Sequence, residues 1–394
     1  MNIFYISHRI PYPPNKGDKI RSFHQIKHLS KRHTVHLACL IDEKDDLEYI
    51  NTLKKYCASI DSEFRDKSTA RFLAIFSIFS RKPLSVAAFY SNKLKKKIAQ
   101  RLNTEKFDRI IVFSSVMAEY VKNITHIPKI IDFVDVDSDK WKLYASYKPF
   151  PFSQIYQLEA KRLALYEEVV AKAFDHSIFV SEKEAALFRQ RVKNIPVSVI
   201  SNGVDIEYFS PNGDGFHPNE PGIVFTGAMD YFPNIDAVRY FCSEIFPLVR
   251  KIIPEVSFYI VGRNPTPQVE ELGRLPNVIV TGSVPDVRPY LLKGCVAVAP
   301  FRIARGIQNK VLEAMSMGLP VVGTSNAFQG IKATESNGLR IADNPERFAE
   351  EIITLIKDSA LRYDCSLKTR KYVEQHHRWE EHGFTLEYLL QEMG

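Results

Sequence analysis

The sequence predicts an α/β protein built from two doubly wound domains of similar design facing each other across a cleft. Three observations predict it. Short β-branched or aromatic runs alternate with segments of helical period, the pattern of β-α-β units and parallel sheets. The alternation stops once, at Ser201–Gly222, where three Pro and four Gly fall in a stretch with little periodicity, and then restarts. The length of 394 residues suits two domains of roughly 150–200 residues each.

In chain order, the first half carries strand candidates at Ile3–Ser7, Thr34–Leu40, Arg109–Phe113, Lys129–Phe133, Ser177–Val180 and Val197–Ile200. Helical periods between them fall at Ile20–Lys31, Asp45–Lys55, Lys93–Leu102, Gln154–Lys172 and Glu182–Arg191. After the connection, strands are expected at Ile223–Thr226, Val256–Val261, Val278–Thr281, Val296–Ala299, Pro320–Gly323 and Leu339–Ile341. Helices at Asn234–Lys251, Asp286–Leu292, Ile307–Met317 and Pro345–Lys357 fill the gaps, and the tail from about Leu361 is helical. Ligands of such sheets bind at the carboxyl ends of the strands.

Composition is that of an ordinary globular chain, with 45% hydrophobic and 25% charged residues, which excludes collagen-like and disordered classes. The longest apolar runs, such as Phe72–Phe79, fall short of the ~18–20 residues a bilayer span needs. Met1–Ser7 lacks the basic start of a secretion signal. Five cysteines without C-x-x-C spacing point to a reducing cytoplasm and no disulfides. A net charge of +7 suits anionic partners without choosing among them.

Several motifs are absent: the P-loop, a G-x-G-x-x-G after the first strand, G-x-S-x-G and H-E-x-x-H. His24 and His28 lie four apart on one helix face, but nothing nearby completes a metal set. Asp135, Asp137 and Asp139 form D-x-D-x-D, yet Lys140 and Ser146 stand where a calcium loop needs Gly and Glu. They read as a polar loop after a strand, with Asp135 and Asp137 as candidates for contacting an acceptor or activating its hydroxyl.

The stretch Val296–Thr324 carries the chemistry. It reads as a buried strand, a loop with two arginines, a helix opening at Gly306, a turn at Gly318 and another buried strand. Amides of Ile307, Gln308 and Asn309 at a helix N-terminus make an anion site, to which Arg302, Arg305 and Lys310 add charge. On a helix from Gly306, Glu313 falls within about 20° of the same face and about 10 Å further along. That spacing suits a diphosphate at one end and a ribose at the other, with the Glu313 carboxylate accepting from the ribose hydroxyls. The competing reading has Glu313 merely pairing with Lys310 on a solvated face.

This segment resembles the nucleotide-sugar motif of family 4 retaining glycosyltransferases of the GT-B fold, and the whole chain resembles the sugar transferases associated with exopolysaccharide and PEP-CTERM systems in bacteria. The matching landmarks are SHRIPYPPNKGDKIRSFH, DFVDVDSDKW, FVSEKEA, ISNGVD, FTGAMDYFPNIDA, VGRNP, TGSVPDV and RGIQNKVLEAM. The resemblance implies that residues 1–203 bind the acceptor, that residues 204–375 bind the nucleotide-sugar donor and that the helix in 376–394 packs back on the first domain. It implies a donor site that includes Gly17, Gly227, Arg263, Arg302, Gly306, Ile307, Gln308, Asn309 and Glu313, with Arg305, Lys310, Glu313 and Asp135 in catalysis. Asp18, in the loop Pro13–Lys19, joins Asp135 and Asp137 on the acceptor side.

Two departures from the family pattern stand out. Arg305 occupies the position eight residues before Glu313 where the family has a Glu, and Ala228 to Asn234 carry no cation where the family clamps the diphosphate with Arg and Lys. Arg302, Arg305, Lys310 and Arg263 are the candidates to replace that clamp.

The implied reaction moves a sugar from a UDP- or GDP-sugar to a glycan or polyprenyl-linked acceptor, with retention and with no metal or other cofactor. A cytoplasmic enzyme is expected, peripheral at the inner face of the plasma membrane through the Phe- and Ile-rich stretch Ala70–Tyr90, its Arg71 and Arg81, and the cluster Lys93, Lys95, Lys96 and Lys97. Two other readings remain open: another GT-B nucleotide-sugar enzyme, such as an epimerase or phosphorylase, and a noncatalytic polyanion-binding protein. No nucleic-acid module is recognisable, so no nucleic-acid partner is expected.

Overall fold

The computed structural model describes residues 1–66, 68–69, 73, 75, 77–78, 80–211 and 221–393. The chain forms two compact units, Met1–Ser201 together with Trp379–Gly394, and Asn202–Arg378. Among the described residues no helix is long and apolar enough to cross a membrane. Of the basic and apolar stretch Ala70–Tyr90, residues 70–72, 74, 76 and 79 lie outside the described residues, Arg71 among them.

The first unit is a seven-stranded parallel sheet in the order β3-β2-β1-β4-β5-β6-β7. Its strands are β1 (Asn2–Ser7), β2 (Thr34–Ile41), β3 (Ser59–Phe64), β4 (Arg109–Phe113), β5 (Lys129–Val134), β6 (His176–Phe179) and β7 (Val197–Val199). The central strands are buried on both faces and therefore read as continuous apolar runs. Strand β3, SIDSEF, lies at the sheet edge and is polar and half-buried throughout, so periodicity does not reveal it. The helices that matter below are α1 (Gly17–Leu29), α2 (Asn92–Thr104), α3 (Asp137–Ala145), α4 (Phe152–Ala173) and α5 (Glu182–Arg191). Helix α3 corrects the expectation of a polar loop after β5, because Asp137 and Asp139 stand in its first turn, where carboxylates oppose the positive end of the helix dipole.

One buried network ties α1 to the sheet. Arg21 and Asp132 are each 1% exposed, with Nε donating to Oδ2 at 2.8 Å. Arg21 Nη1 also donates to the carbonyls of Ile200 and Ser201, and Gln25 bridges Asp132 to the Tyr5 hydroxyl. Removing one partner strands the other charge in the interior. Arg21→Met is therefore expected to cost about 3–5 kcal/mol, read as a lowered midpoint in urea.

The last helix, Trp379–Glu392, belongs to the first unit and lies on α1. Trp379 stacks on His24 with ring centroids 4.7 Å apart. Glu387 accepts from His33 at 3.0 Å and faces His28 at 3.4 Å, with Arg32 at 3.6 Å. Thus His24 and His28 meet the final helix. Burial chiefly pushes His28 below its usual pKa. For Glu387 burial works upward, but His28, Arg32 and His33 outweigh it and hold the carboxyl below its usual range. Both groups therefore favour folding above their unfolded pKa values and lose that contribution as pH falls, first through about 6.5 and then through about 4.5. With the intrinsic pH dependence of exchange divided out, the protection of residues 379–392 should fall between pH 7 and pH 5 more than that of β1, and the difference should shrink in His28→Gln.

The second unit is a six-stranded parallel sheet in the order β10-β9-β8-β11-β12-β13. The strands are β8 (Gly222–Thr226), β9 (Ser257–Val261), β10 (Val278–Gly282), β11 (Val296–Ala299), β12 (Val321–Gly323) and β13 (Arg340–Ile341). Helix α6 (Phe232–Tyr240) follows β8, and a π-helical turn, Phe241–Ile245, separates it from Phe246–Ile252, so the single helix expected over 234–251 is divided. Helix α7 (Asn309–Ser316) precedes β12. It starts later than expected because Gly306 is left-handed, at φ +61°, and Gln308 is extended.

Candidate functional site

In each sheet the strand order reverses direction at one point, between β1 and β4 in the first unit and between β8 and β11 in the second. Such points open a crevice at the carboxyl ends of the strands. In the second unit the crevice is built from the turns after β8 and β9 and the first turn of α7.

The turns after β8 and β9 are pressed together. The Gly227 amide donates to Val261 O at 3.0 Å, and a Cβ on Gly262 would overlap the Gly227 carbonyl oxygen. A Cβ on Gly227 would lie 2.7 Å from both Asn234 Nδ2 and Lys310 Nζ. Both positions need glycine for close approach. Asn234, in the first turn of α6, is fixed by its amide donating to Ala228 O at 2.8 Å, which turns its carbonyl oxygen to Lys310.

Lys310 Nζ donates to Asn234 Oδ1 at 2.6 Å and lies 4.5 Å from the Phe225 ring centroid and 4.9 Å from that of Phe301. No carboxylate lies within ion-pair distance of it among the described residues. Burial pushes its pKa down to about 7, against the pull of Glu313. The Glu313 carboxyl, one turn along α7, is pushed up to about 7 by burial and has no hydrogen-bond partner among the described residues. The two groups share a helix face at i, i+3.

The expectation that Gly306 and Glu313 share a helix face is corrected, because Gly306 precedes the helix. Its carbonyl and Ile307 instead pack on Gly330, where a Cβ would meet them at 2.7 and 2.5 Å. Gln308 folds back, donating from Nε2 to the Arg305 carbonyl at 3.0 Å. Asn309 Oδ1 accepts from Asn202 Nδ2 at 2.8 Å, while Asn309 Nδ2 is buried without a partner. Arg302 is paired with Asp236, 3.0 Å from Nε, and its guanidinium lies 4.8 Å from the Tyr240 ring centroid. Arg263 is half-buried at the β9 turn, its carbonyl accepting from Met229 N at 2.8 Å.

In the first unit, Gly17 opens α1 and Asp18 is the second residue of that helix. Asp18 Oδ2 receives His8 Nε2 at 3.0 Å and Arg9 Nη1 at 2.6 Å. Burial works to raise the Asp18 pKa, but His8 and Arg9 overcome it and hold the carboxyl far below its usual range. Asp135 follows Val134, whose φ is +66°, while Asp137 pairs with Lys140 and Asp139 lies 3.8 Å from Arg191. The three aspartates thus do not converge. Among the described residues, no group of three or more His, Cys, Asp and Glu is placed to hold a metal ion.

Sequence reasoning did not single out Asn234, Gly262, Phe225, Phe301 or His8. The turn glycines after β8 and β9 were the available signals. The contact of Lys310 with Asn234, 76 residues away, had none.

Two all-parallel sheets of this kind, each with its own switch point, define the GT-B architecture of glycosyltransferases. Full-length similarity to solved structures bears on that fold: sucrose-phosphate synthase from Thermosynechococcus elongatus at TM-score 0.74 and 14% identity, covering 100% of this chain and 99% of that one. The Anabaena protein Alr3699/HepE in complex with UDP-glucose superposes at 0.69 and 15% identity, covering 100% of both chains. Residues 220–358 match the family model described as "Glycosyl transferases group 1". The matched residues lie within the second unit, which thus carries both the fold and the sequence pattern of a group 1 glycosyltransferase domain. An uncharacterized 44.6 kDa protein in the cps region of Klebsiella pneumoniae is 21% identical over 391 residues, 95% of this chain and 96% of that protein.

Gly262→Ala should force the two turns apart, costing about 1–3 kcal/mol in stability. Thermal unfolding would show the loss, and Gly273→Ala, where only Val280 comes within 4 Å of the new methyl, should show much less.

Proposed function

We propose that the protein transfers a sugar from a UDP- or GDP-sugar to a glycan or lipid-linked acceptor, with retention, in the building of a bacterial surface polysaccharide. The observation that carries this reading is the Lys310 ammonium beside the Gly227 turn, with Glu313 on the same helix face. The Ala228–Asn234 stretch has no cation of its own, and Lys310 supplies one from 76 residues away through Asn234. The Anabaena Alr3699/HepE structures are complexes with UDP and glucose and with UDP-glucose, and the relative in the cps region agrees with a polysaccharide role.

In this reading Lys310, Arg305 and Arg263 hold the diphosphate together with the amides around Gly306, Ile307, Gln308 and Asn309, and Glu313 accepts from the ribose hydroxyls. Arg302, engaged with Asp236, braces the loop that carries them. The bond from the anomeric carbon to the β-phosphate oxygen breaks with its electron pair going to the phosphate. The acceptor oxygen then bonds to that carbon from the same face, and its proton passes to the departing phosphate. The fixed amides and cations stabilise the charge that develops on the leaving group, so no metal is required. The acceptor side is assigned to the first unit, with Gly17, Asp18, Asp135 and Asp137. A cytoplasmic location at an anionic membrane surface, engaged through 70–97, completes the proposal, with no nucleic acid as partner.

Calorimetry with UDP, GDP and ADP in EDTA tests it. One nucleotide should bind in the micromolar range, Glu313→Ala and Lys310→Gln should each weaken it about tenfold, the equivalent of about 1.4 kcal/mol, and unchanged binding in both variants would defeat the assignment. A second outcome follows from the titration of Lys310. Burial holds the Lys310 amine below its usual pKa, so a bound diphosphate, which favours the ammonium form, should bring a proton with it. Titration in two buffers of different ionisation enthalpy should show proton uptake on binding in the wild type and less of it in Lys310→Gln.

A further inference from the structure

The first unit contains a groove of about 720 Å³ that the transfer reaction described above does not use. Three helices build it, each with one face: Ser138, Lys142 and Ala145 from α3, Ala160 and Ala164 from α4, and Leu187 and Arg191 from α5. The volume exists because alanines stand where α3 and α4 would otherwise fill the space with larger side chains. It falls within the range of small-molecule sites, ~300–1,000 Å³.

Its charge is uneven. Lys142 and Lys161 line it from opposite helices, are exposed, and make no ion pair among the described residues. Arg191 is held from beneath by Glu167, which is fully buried, and donates from Nη1 to Ser138 Oγ at 2.8 Å. Its Nε is buried without a partner. Glu167 and the nearby Asp139 are thus matched to Arg191, leaving the two lysines as the free charge of the groove. Gln157 and Gln190 add amides at the rim.

We propose that this groove is a second binding site, for an acidic glycan, a saccharide chain carrying carboxylates. The chemistry is complementary at each point. Two unpaired ammonium groups meet carboxylates, amides at the rim meet hydroxyls, and the alanine floor with Leu187 receives the C–H faces of pyranose rings. The site lies wholly in the first unit and goes beyond the donor reading. It binds saccharide whether or not a nucleotide is present.

The test is binding of a glucuronate-containing tetrasaccharide to the full chain, by calorimetry at low salt, beside neutral cellotetraose, inorganic phosphate and phosphatidylglycerol vesicles. The acidic tetrasaccharide should bind, the neutral one at least tenfold more weakly. The double variant Lys142→Ala/Lys161→Ala should lose at least tenfold, and so should Gln157→Trp, which fills the groove from an exposed rim position. UDP titration of the same variants should match the wild type, since Lys310 and Glu313 are untouched. That control separates failure of the groove from failure of the donor site. No binding of the tetrasaccharide overturns the proposal. Equal binding of cellotetraose, or binding that survives both variants, also overturns it. Phosphate bound as tightly as the tetrasaccharide would mark an anion site without saccharide specificity, and vesicle binding lost in the double variant with no tetrasaccharide binding would mark a lipid surface. Either result replaces the acidic glycan.

Discussion

The candidate donor site depends on one ammonium group kept from water without a carboxylate. A buried charge is ordinarily paired, yet among the described residues Lys310 Nζ is met by the Asn234 carbonyl oxygen and the faces of Phe225 and Phe301, with no carboxylate at ion-pair distance. Cation–π attraction and one hydrogen bond offset part of the desolvation, and the amine responds by giving up protons more readily. Everything around it follows from making room: glycine at 227 because its neighbours lie 2.7 Å from a would-be Cβ, glycine at 262 because the two turns touch, and an asparagine whose other end is fixed to Ala228. The crevice thus carries on one helix face a cation without a counter-charge and a carboxyl without a hydrogen-bond partner among the described residues.

The first unit treats buried charge differently. Arg21 has Asp132, and Lys19 has Asp46 at 2.6 Å. Its buried carboxylates also close the starts of helices. Glu159 accepts from the amides of Leu84 and Ser85, Glu167 from that of Ser138, and Glu184 from that of Val136. Each of these helix starts leaves amides without intrahelical partners, and an acidic side chain from a neighbouring helix supplies the acceptor.

The strands were legible because a strand buried on both faces must be apolar along its whole length, as in β1, β4 and β11. The polar edge strand β3 carried no such signal, and the acidic run at 135–139 looked like loop because its first-turn carboxylates mask a short amphipathic helix. The stretch 305–313 shows its chemistry in its residue types, but helical period alone starts its helix too early. Gly306 could equally open a helix or bend the chain before one, and only packing against Gly330 selects the bend.

The sequence by itself therefore determined the α/β class, the two-sheet order of elements and the segment in which the site's chemistry is concentrated, since these follow from local hydrophobic period and from residue type. The tertiary structure decided which cations face the crevice. Lys310 reaches Asn234, while Arg302 turns to Asp236. Those partners lie 76 and 66 residues away in the chain. No local pattern encodes such a choice, because it is made by the parallel sheet that sets the ends of β8, β9 and β11 side by side.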